Sequence, residues 1–170
     1  MNKDLIDTLV NVILIGIPEC IALTMLVLAF LQLPLIWKKI ITVAITQTII
    51  VLSFRFASSG LELPGLHTTA AIVALGLLVS FFWRVPKLKS LTCSVIAIIF
   101  LVALEMLYYN LFQMFLAETI EQIAQSEIYW VLSSWLDTLT IIFAAVLIMK
   151  SQWYQKGLHK NTPFNNSRAR

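Results

Sequence analysis

Three carboxylic acids, Glu19, Glu105 and Asp137, stand inside stretches of sequence that are otherwise almost wholly apolar. An ionised side chain at the centre of an apolar membrane helix costs about 2.5–3.5 kcal/mol on insertion scales, so such groups turn toward a protein interior and find partners there. Two further groups could answer their charge. Arg55 closes one apolar run and His67 opens the next. Glu19, Arg55, His67, Glu105 and Asp137 therefore form a candidate polar cluster. Three carboxylates against one obligate cation would leave net negative charge in a low dielectric, so at least one carboxyl of such a cluster is neutral. Three kinds of chemistry are open to it: fixing helix register by buried polar contacts, binding a ligand or sensing a signal, and passing protons or ions.

Other chemistry lacks its residues. There is no phosphate-cradling glycine loop and no serine or cysteine nucleophile constellation. One histidine among scattered carboxylates lacks metal-ligand spacing, so no metal or other cofactor is expected. His159 stands alone. Cys20 and Cys93 both lie in apolar runs and imply no disulfide framework.

The elements that must position the acids follow from composition. The chain has 170 residues, 59% hydrophobic and 12% charged, with a mean hydropathy of +0.88. Soluble domains carry about 25% charged and about 45–50% apolar residues. A soluble globular enzyme, a disordered chain and a nucleic-acid-binding domain are thereby excluded. The pattern predicts an all-α integral membrane bundle. A bilayer core about 30 Å thick needs roughly 20 apolar helical residues, and five runs qualify: 9–33, 35–56, 67–83, 91–115 and 128–149. They must be helices, because lipid offers the backbone no hydrogen-bond partner. The rival reading makes the first run re-entrant or surface-lying, since Pro18 and Glu19 interrupt it, and leaves four spans. The N-terminus is not a cleavable signal peptide, with Asp4 and Asp7 after Lys3 and no clear small-residue cleavage site.

Charge gives the orientation. Lys38 and Lys39 follow the first run, Arg84, Lys87 and Lys89 the third, and Lys150, Lys156, Lys160, Arg168 and Arg170 the fifth. Lys and Arg in short loops mark the cytoplasmic side. Five spans, an outer N-terminus and a cytoplasmic C-terminus satisfy this rule, with residues 151–170 read as a basic, irregular tail near anionic lipid. Residues 114–126 carry Leu116, Ile120 and Ile123 at helical spacing, which predicts a short amphipathic helix on the outer surface. Trp37, Trp83, Trp130, Trp135 and Trp153 fall mostly near interfaces, as an aromatic belt.

Local pattern supports a polar interior. Gly16 and Pro18 predict a kink, because proline removes the bond to the Leu14 carbonyl and frees an acceptor beside Glu19. Glu105 shares a face with Tyr108 and Tyr109, and Asp137 with Ser133, Ser134 and Thr140. Ala70 with Ala74, and Gly76 with Ser80, are small residues four apart that let helices approach closely.

Ile17-Pro18-Glu19, Arg55 followed by Leu63-Pro64-Gly65-Leu66-His67-Thr68, and Leu104-Glu105 together resemble a family pattern. It is that of the multi-pass N-terminal membrane region of GHKL-type sensor histidine kinases from Gram-positive, spore-forming bacteria. The resemblance covers nearly the whole chain through short motifs. In that family the membrane region leads into a phospho-acceptor helix and an ATP-binding domain, and neither is found in these 170 residues. The resemblance therefore implies a non-catalytic sensory or regulatory input module in the cell membrane. Its partners would be the lipid bilayer and a membrane or cytoplasmic signalling protein. A small transporter or substrate-binding membrane subunit working with an energising partner is the alternative, although no internal repeat is evident. A structural subunit of a larger complex is the third reading.

Overall fold

The structure is a computed structural model that describes residues 12–58, 66–116 and 127–160, with no side chains described at 12, 55–58, 66–67, 115–116, 127–130 and 152–160. One π-helical turn, Val12–Gly16, opens the described chain. Five α-helices follow: α1 Ile17–Phe30, α2 Trp37–Ser58, α3 Leu66–Trp83, α4 Lys87–Leu116 and α5 Glu127–Lys160. No strand occurs among the described residues.

Four stretches, Ile13–Phe30, Trp37–Phe54, Lys87–Met114 and Val131–Ser151, are long and apolar enough to cross a membrane, and α3 contributes the shorter apolar stretch Thr68–Trp83. At 1.5 Å per residue the 18 residues of α3 extend about 27 Å. The surface agrees with lipid contact. Exposed apolar residues recur at helical spacing on α2 (Ile41, Ile45, Ile49), α3 (Val73, Leu77, Phe81) and α5 (Leu139, Phe143, Val146). Soluble monomers rarely leave apolar patches of that extent uncovered.

α1 is the hub. Ala22 to Ala29 carry apolar side chains on every face except for Thr24, and all eight are buried, none more than 4% exposed. A helix apolar all round needs cover all round. It receives cover from α5, α2 and α4, with a lighter contact to α3. The outer helices pack in chain order, α2 on α3 and α3 on α4.

The α1–α2 and α3–α4 turns are built alike. Helix α1 ends with Gln32 in the left-handed region at φ 56°, and α3 ends with Arg84 at φ 55°. After α1, the Leu33 N–H donates to the Leu28 carbonyl at 2.9 Å and the Gln32 N–H to the Ala29 carbonyl at 3.1 Å. This is the Schellman pattern, which satisfies carbonyls that a helix end leaves without partners. After α3, the Val85 N–H donates to the Ser80 carbonyl at 3.2 Å, and the Ser80 hydroxyl donates to the Val85 carbonyl at 2.7 Å. A proline, Pro34 or Pro86, then prevents continuation. The sequences repeat as well: Phe30-Leu31-Gln32-Leu33-Pro34 against Phe82-Trp83-Arg84-Val85-Pro86. Ala22-Leu23 and Leu26-Val27 before the first turn match Ala74-Leu75 and Leu78-Val79 before the second. An internal repeat, not evident in the sequence alone, thus spans two helical hairpins.

Helix bounds differ from the apolar runs in instructive places. The first run divides into the π turn and α1. Helix α4 starts at Lys87, ahead of position 91, because the residue after a proline is a favoured helix start and hydropathy does not register a lysine-bearing first turn. Helix α5 continues to Lys160, into the segment read as an irregular tail, because extending a formed helix costs little compared with nucleating one. The predicted outer amphipathic helix falls mainly at 117–126, outside the described residues.

Gly76 lies where α3 packs closely against α4. A Cβ there would lie 2.6 Å from Leu91 Cδ2 and 3.0 Å from Leu91 Cα. Alanine favours helices by about 1 kcal/mol over glycine, yet overpacking costs about 1–3 kcal/mol. With the backbone among the clashing atoms, the second effect dominates. Gly76→Ala lowers the thermal unfolding midpoint in detergent, and adding Leu91→Ala recovers part of the loss. An unchanged midpoint for the single variant would show that α3 and α4 separate freely.

Candidate functional site

The site starts at the break before α1. Pro18 has no N–H, and its ring collides with the carbonyl four residues back in a regular α-helix. The chain answers with the π turn at Val12–Gly16, then resumes as α-helix with Pro18 in the first positions and Glu19 in the first turn. The expected irregularity at Gly16 and Pro18 is thus a change of helix type. Gly16 keeps helical angles, φ −64° and ψ −43°, and supplies no side-chain cap. A Cβ there would lie 3.7 Å from Thr48 Cγ2 of α2, an ordinary contact, so the position has space for a small side chain.

Glu19 sits half-buried where α1 packs against α5 and α4. The charges acting on it, among the described residues, are those of Glu105 on α4 and Asp137 on α5, and Glu105 acts on Asp137 in turn. The three acids, carried on three helices, thus lie within electrostatic reach of one another. Asp137 is the most enclosed, 4% exposed, and its Oδ1 has no hydrogen-bond partner. Tyr109 lies within electrostatic reach of both Glu105 and Asp137.

A hydroxyl pair ties the acid-bearing faces of α4 and α5. Tyr108 Oη and Thr140 Oγ1 are 2.6 Å apart. Thr140 Oγ1 also donates to the Leu136 carbonyl at 2.8 Å. A hydroxyl has one proton, so Tyr108 is the donor between the two. Glu105 and Asp137 each lie three residues before a member of this pair, one helical turn away. Beside Glu19, the Cys20 thiol engages the Thr48 side chain, and Thr24 Oγ1 donates to the Cys20 carbonyl at 2.7 Å. Thr48 Oγ1 donates to Ala44 at 2.9 Å.

The buried residues divide by character. Around the inner part of α1 they are mainly apolar: Ile40, Val43, Leu75, Val79, Ala97 and Ile141. Buried polar residues flank that core at both ends, Gln47, Thr48, Ser133, Asp137 and Thr138 toward the acids and Ser80, Ser90 and Ser94 toward the α3–α4 turn. Sequence reasoning gave Gln47 no role. Its side chain is 1% exposed with an Oε1 that has no partner. The available signal was a lone carboxamide in an apolar run, the same signal that singled out the acids.

Arg55 and His67 lie on the described backbone, at the last turn of α2 and the first turn of α3. Both therefore sit at the bundle end opposite the two repeated turns. Their side chains are outside the described residues. Among the described residues, no three His, Cys, Asp or Glu side chains meet at metal-binding spacing. No family model, curated protein or solved structure matches this chain.

Two variants test the site's construction. Tyr108→Phe and Thr140→Val, combined in a double-mutant cycle of unfolding in detergent, give a coupling near 0.6 kcal/mol, the average for hydrogen bonds inside membrane bundles. A coupling of zero would mean the pair does not set the α4–α5 register. Asp137→Asn retains or raises the unfolding midpoint, because Oδ1 is buried without a partner and the amide carries no charge to desolvate. A fall of several degrees would assign that carboxylate a structural bond.

Proposed function

We propose that this chain is a non-catalytic sensory or regulatory module of the cell membrane. In this reading it crosses the bilayer five times, with its N-terminus outside and its C-terminus in the cytoplasm. The observation that carries the reading is the convergence of Glu19, Glu105 and Asp137 from three helices next to the π-to-α break. For scale, any two like charges separated by about 8 Å repel by about 2 kcal/mol at an effective dielectric of 20. A signal that adds a proton or a cationic group removes repulsion of that order. Roughly 2 kcal/mol is a thirtyfold change in a two-state equilibrium, enough to repack α1 against α4 and α5. The π-to-α break before Pro18 is the irregular element at which such a repacking would start. The repacking would pass along buried α1 to the basic turns, where a signalling partner would read it. The resemblance to kinase input regions supports this direction of transmission.

A second reading is a small transporter or substrate-binding membrane subunit. Its support is the hairpin repeat across 22–34 and 74–86, together with an interrupted helix carrying a half-buried acid, features that transporters share. Uptake of a labelled substrate that is lost with Asp137→Asn would select it.

Cys20 reports on the proposed movement, because it adjoins Glu19 and contacts Thr48. Cys93, half-buried on α4, serves as an internal control. In membranes, Glu19→Gln and Asp137→Asn change the N-ethylmaleimide labelling rate of Cys20 at least threefold, and that of Cys93 little. Equal rates at Cys20, with unaltered recovery of cross-linked partners, would end the sensory reading. Orientation is tested separately in a chain with both native cysteines replaced by alanine. A membrane-impermeant maleimide labels Asn2→Cys in intact cells and labels Asn166→Cys after lysis. Labelling of both positions in intact cells, or of neither before lysis, contradicts five spans.

A further inference from the structure

The bundle end formed by the two repeated turns holds an open cleft of about 660 Å³, lined by Pro34, Ile36, Lys39, Phe81, Trp83 and Arg84 among others. A second cleft of about 610 Å³ shares Phe81 and Arg84 and adds Leu77 and Lys87. The two form one continuous surface around Phe81 and Arg84.

Its walls are fixed by contacts between the turns. The Trp83 indole N–H donates to the Pro34 carbonyl at 3.1 Å. Lys39 Nζ donates to the Phe82 carbonyl at 2.8 Å and lies 5.5 Å from the Trp83 ring centroid. An ammonium carries three donors, so Lys39 retains donors after this bond. Arg84 and Lys87 are exposed, and Lys38 and Lys89 stand beside them. Between Glu19 and Glu105 the sequence contains a single acid, Glu62, which is not among the residues of either turn. Within the hairpins nothing neutralises this end, and its countercharge must come from outside the chain. Directly against the cations runs an apolar strip. Phe81 is 78% exposed, and Leu77 continues the same face one turn inward.

The geometry points to a bound anionic phospholipid at this surface, its phosphate between Lys39, Arg84 and Lys87 and an acyl chain along Phe81 and Leu77. A soluble anion would satisfy the cations and leave the strip bare. A neutral lipid would cover the strip and leave the cations unanswered. Basic pockets between membrane helices recognise anionic headgroups by the same combination, and an indole fixed at headgroup level is the usual interfacial anchor. The inference rests on the bundle being a membrane protein and not on its being a sensor.

The full chain, extracted in dodecyl maltoside, is titrated with phosphatidylglycerol, with phosphatidylcholine and with inorganic phosphate. Bound lipid is read by native mass spectrometry and the unfolding midpoint by a thermal melt. Phosphatidylglycerol is expected to remain bound at least fivefold more than phosphatidylcholine and to raise the midpoint. The double variant Arg84→Gln with Lys87→Gln removes that preference and leaves the lipid-free midpoint unchanged. Glutamine suits position 84, because Gln32 holds the same left-handed conformation in the sister turn. Phe81→Ala weakens retention with the charges intact. Equal retention of the two lipids, a preference that survives the double variant, or the same stabilisation from inorganic phosphate alone would each overturn the site. Release of the chain from membranes by alkaline carbonate would overturn the membrane reading itself, a separate outcome from the loss of lipid preference.

Discussion

The structure depends on enclosing polar groups inside a bundle whose outer surface is apolar. Lipid cannot hydrate a carboxyl, so each acid in the apolar runs must be covered by protein. Helix α1 sits where that cover is densest. Its residues from Ala22 to Ala29 are buried on all faces, and its upper turn carries Glu19 toward Glu105 and Asp137. The same helix is thus both the packing hub and the carrier of one of the three acids. The contacts of α1 with α2, α4 and α5 thus surround the same helix that carries Glu19.

The helix break has a comparable logic. Proline in a helix interior costs about 3 kcal/mol when the chain cannot adapt. The π turn widens the backbone at that point and accommodates the ring, and π turns occur frequently at functional sites. Gly16 stands at the level of Thr48 on α2. The interruption, the small residue and the acid lie within four consecutive positions.

At the other end the two hairpin turns adopt left-handed residues that are not glycine, each costing about 1–2 kcal/mol relative to a right-handed position. Gln32 and Arg84 accept that strain, and the capping bonds and the following prolines offset it. A glycine would relax the backbone but bring no side chain. At position 84 the side chain is a cation facing an otherwise acid-free end, so the strained position also carries charge to the surface.

Much of this was legible from residue types alone. Long apolar runs dictate helices because lipid leaves the backbone no other partner, and the lysines at Lys38, Lys39, Lys87 and Lys89 mark one end. The cost of burying a carboxyl singled out Glu19, Glu105 and Asp137 before any contact was known. Tertiary structure decided what depends on distance between helices. It made α1 the centre, it joined Tyr108 to Thr140, and it left Gln47 and Asp137 with buried oxygens that lack partners. It also revealed the repeat, which in an apolar sequence is too degenerate to notice until two residues share a left-handed turn. Residue chemistry fixes what each helix must hide. Which neighbour hides it depends on helix order and rotation, and every face of an apolar helix such as α1 serves that purpose equally well until packing selects one.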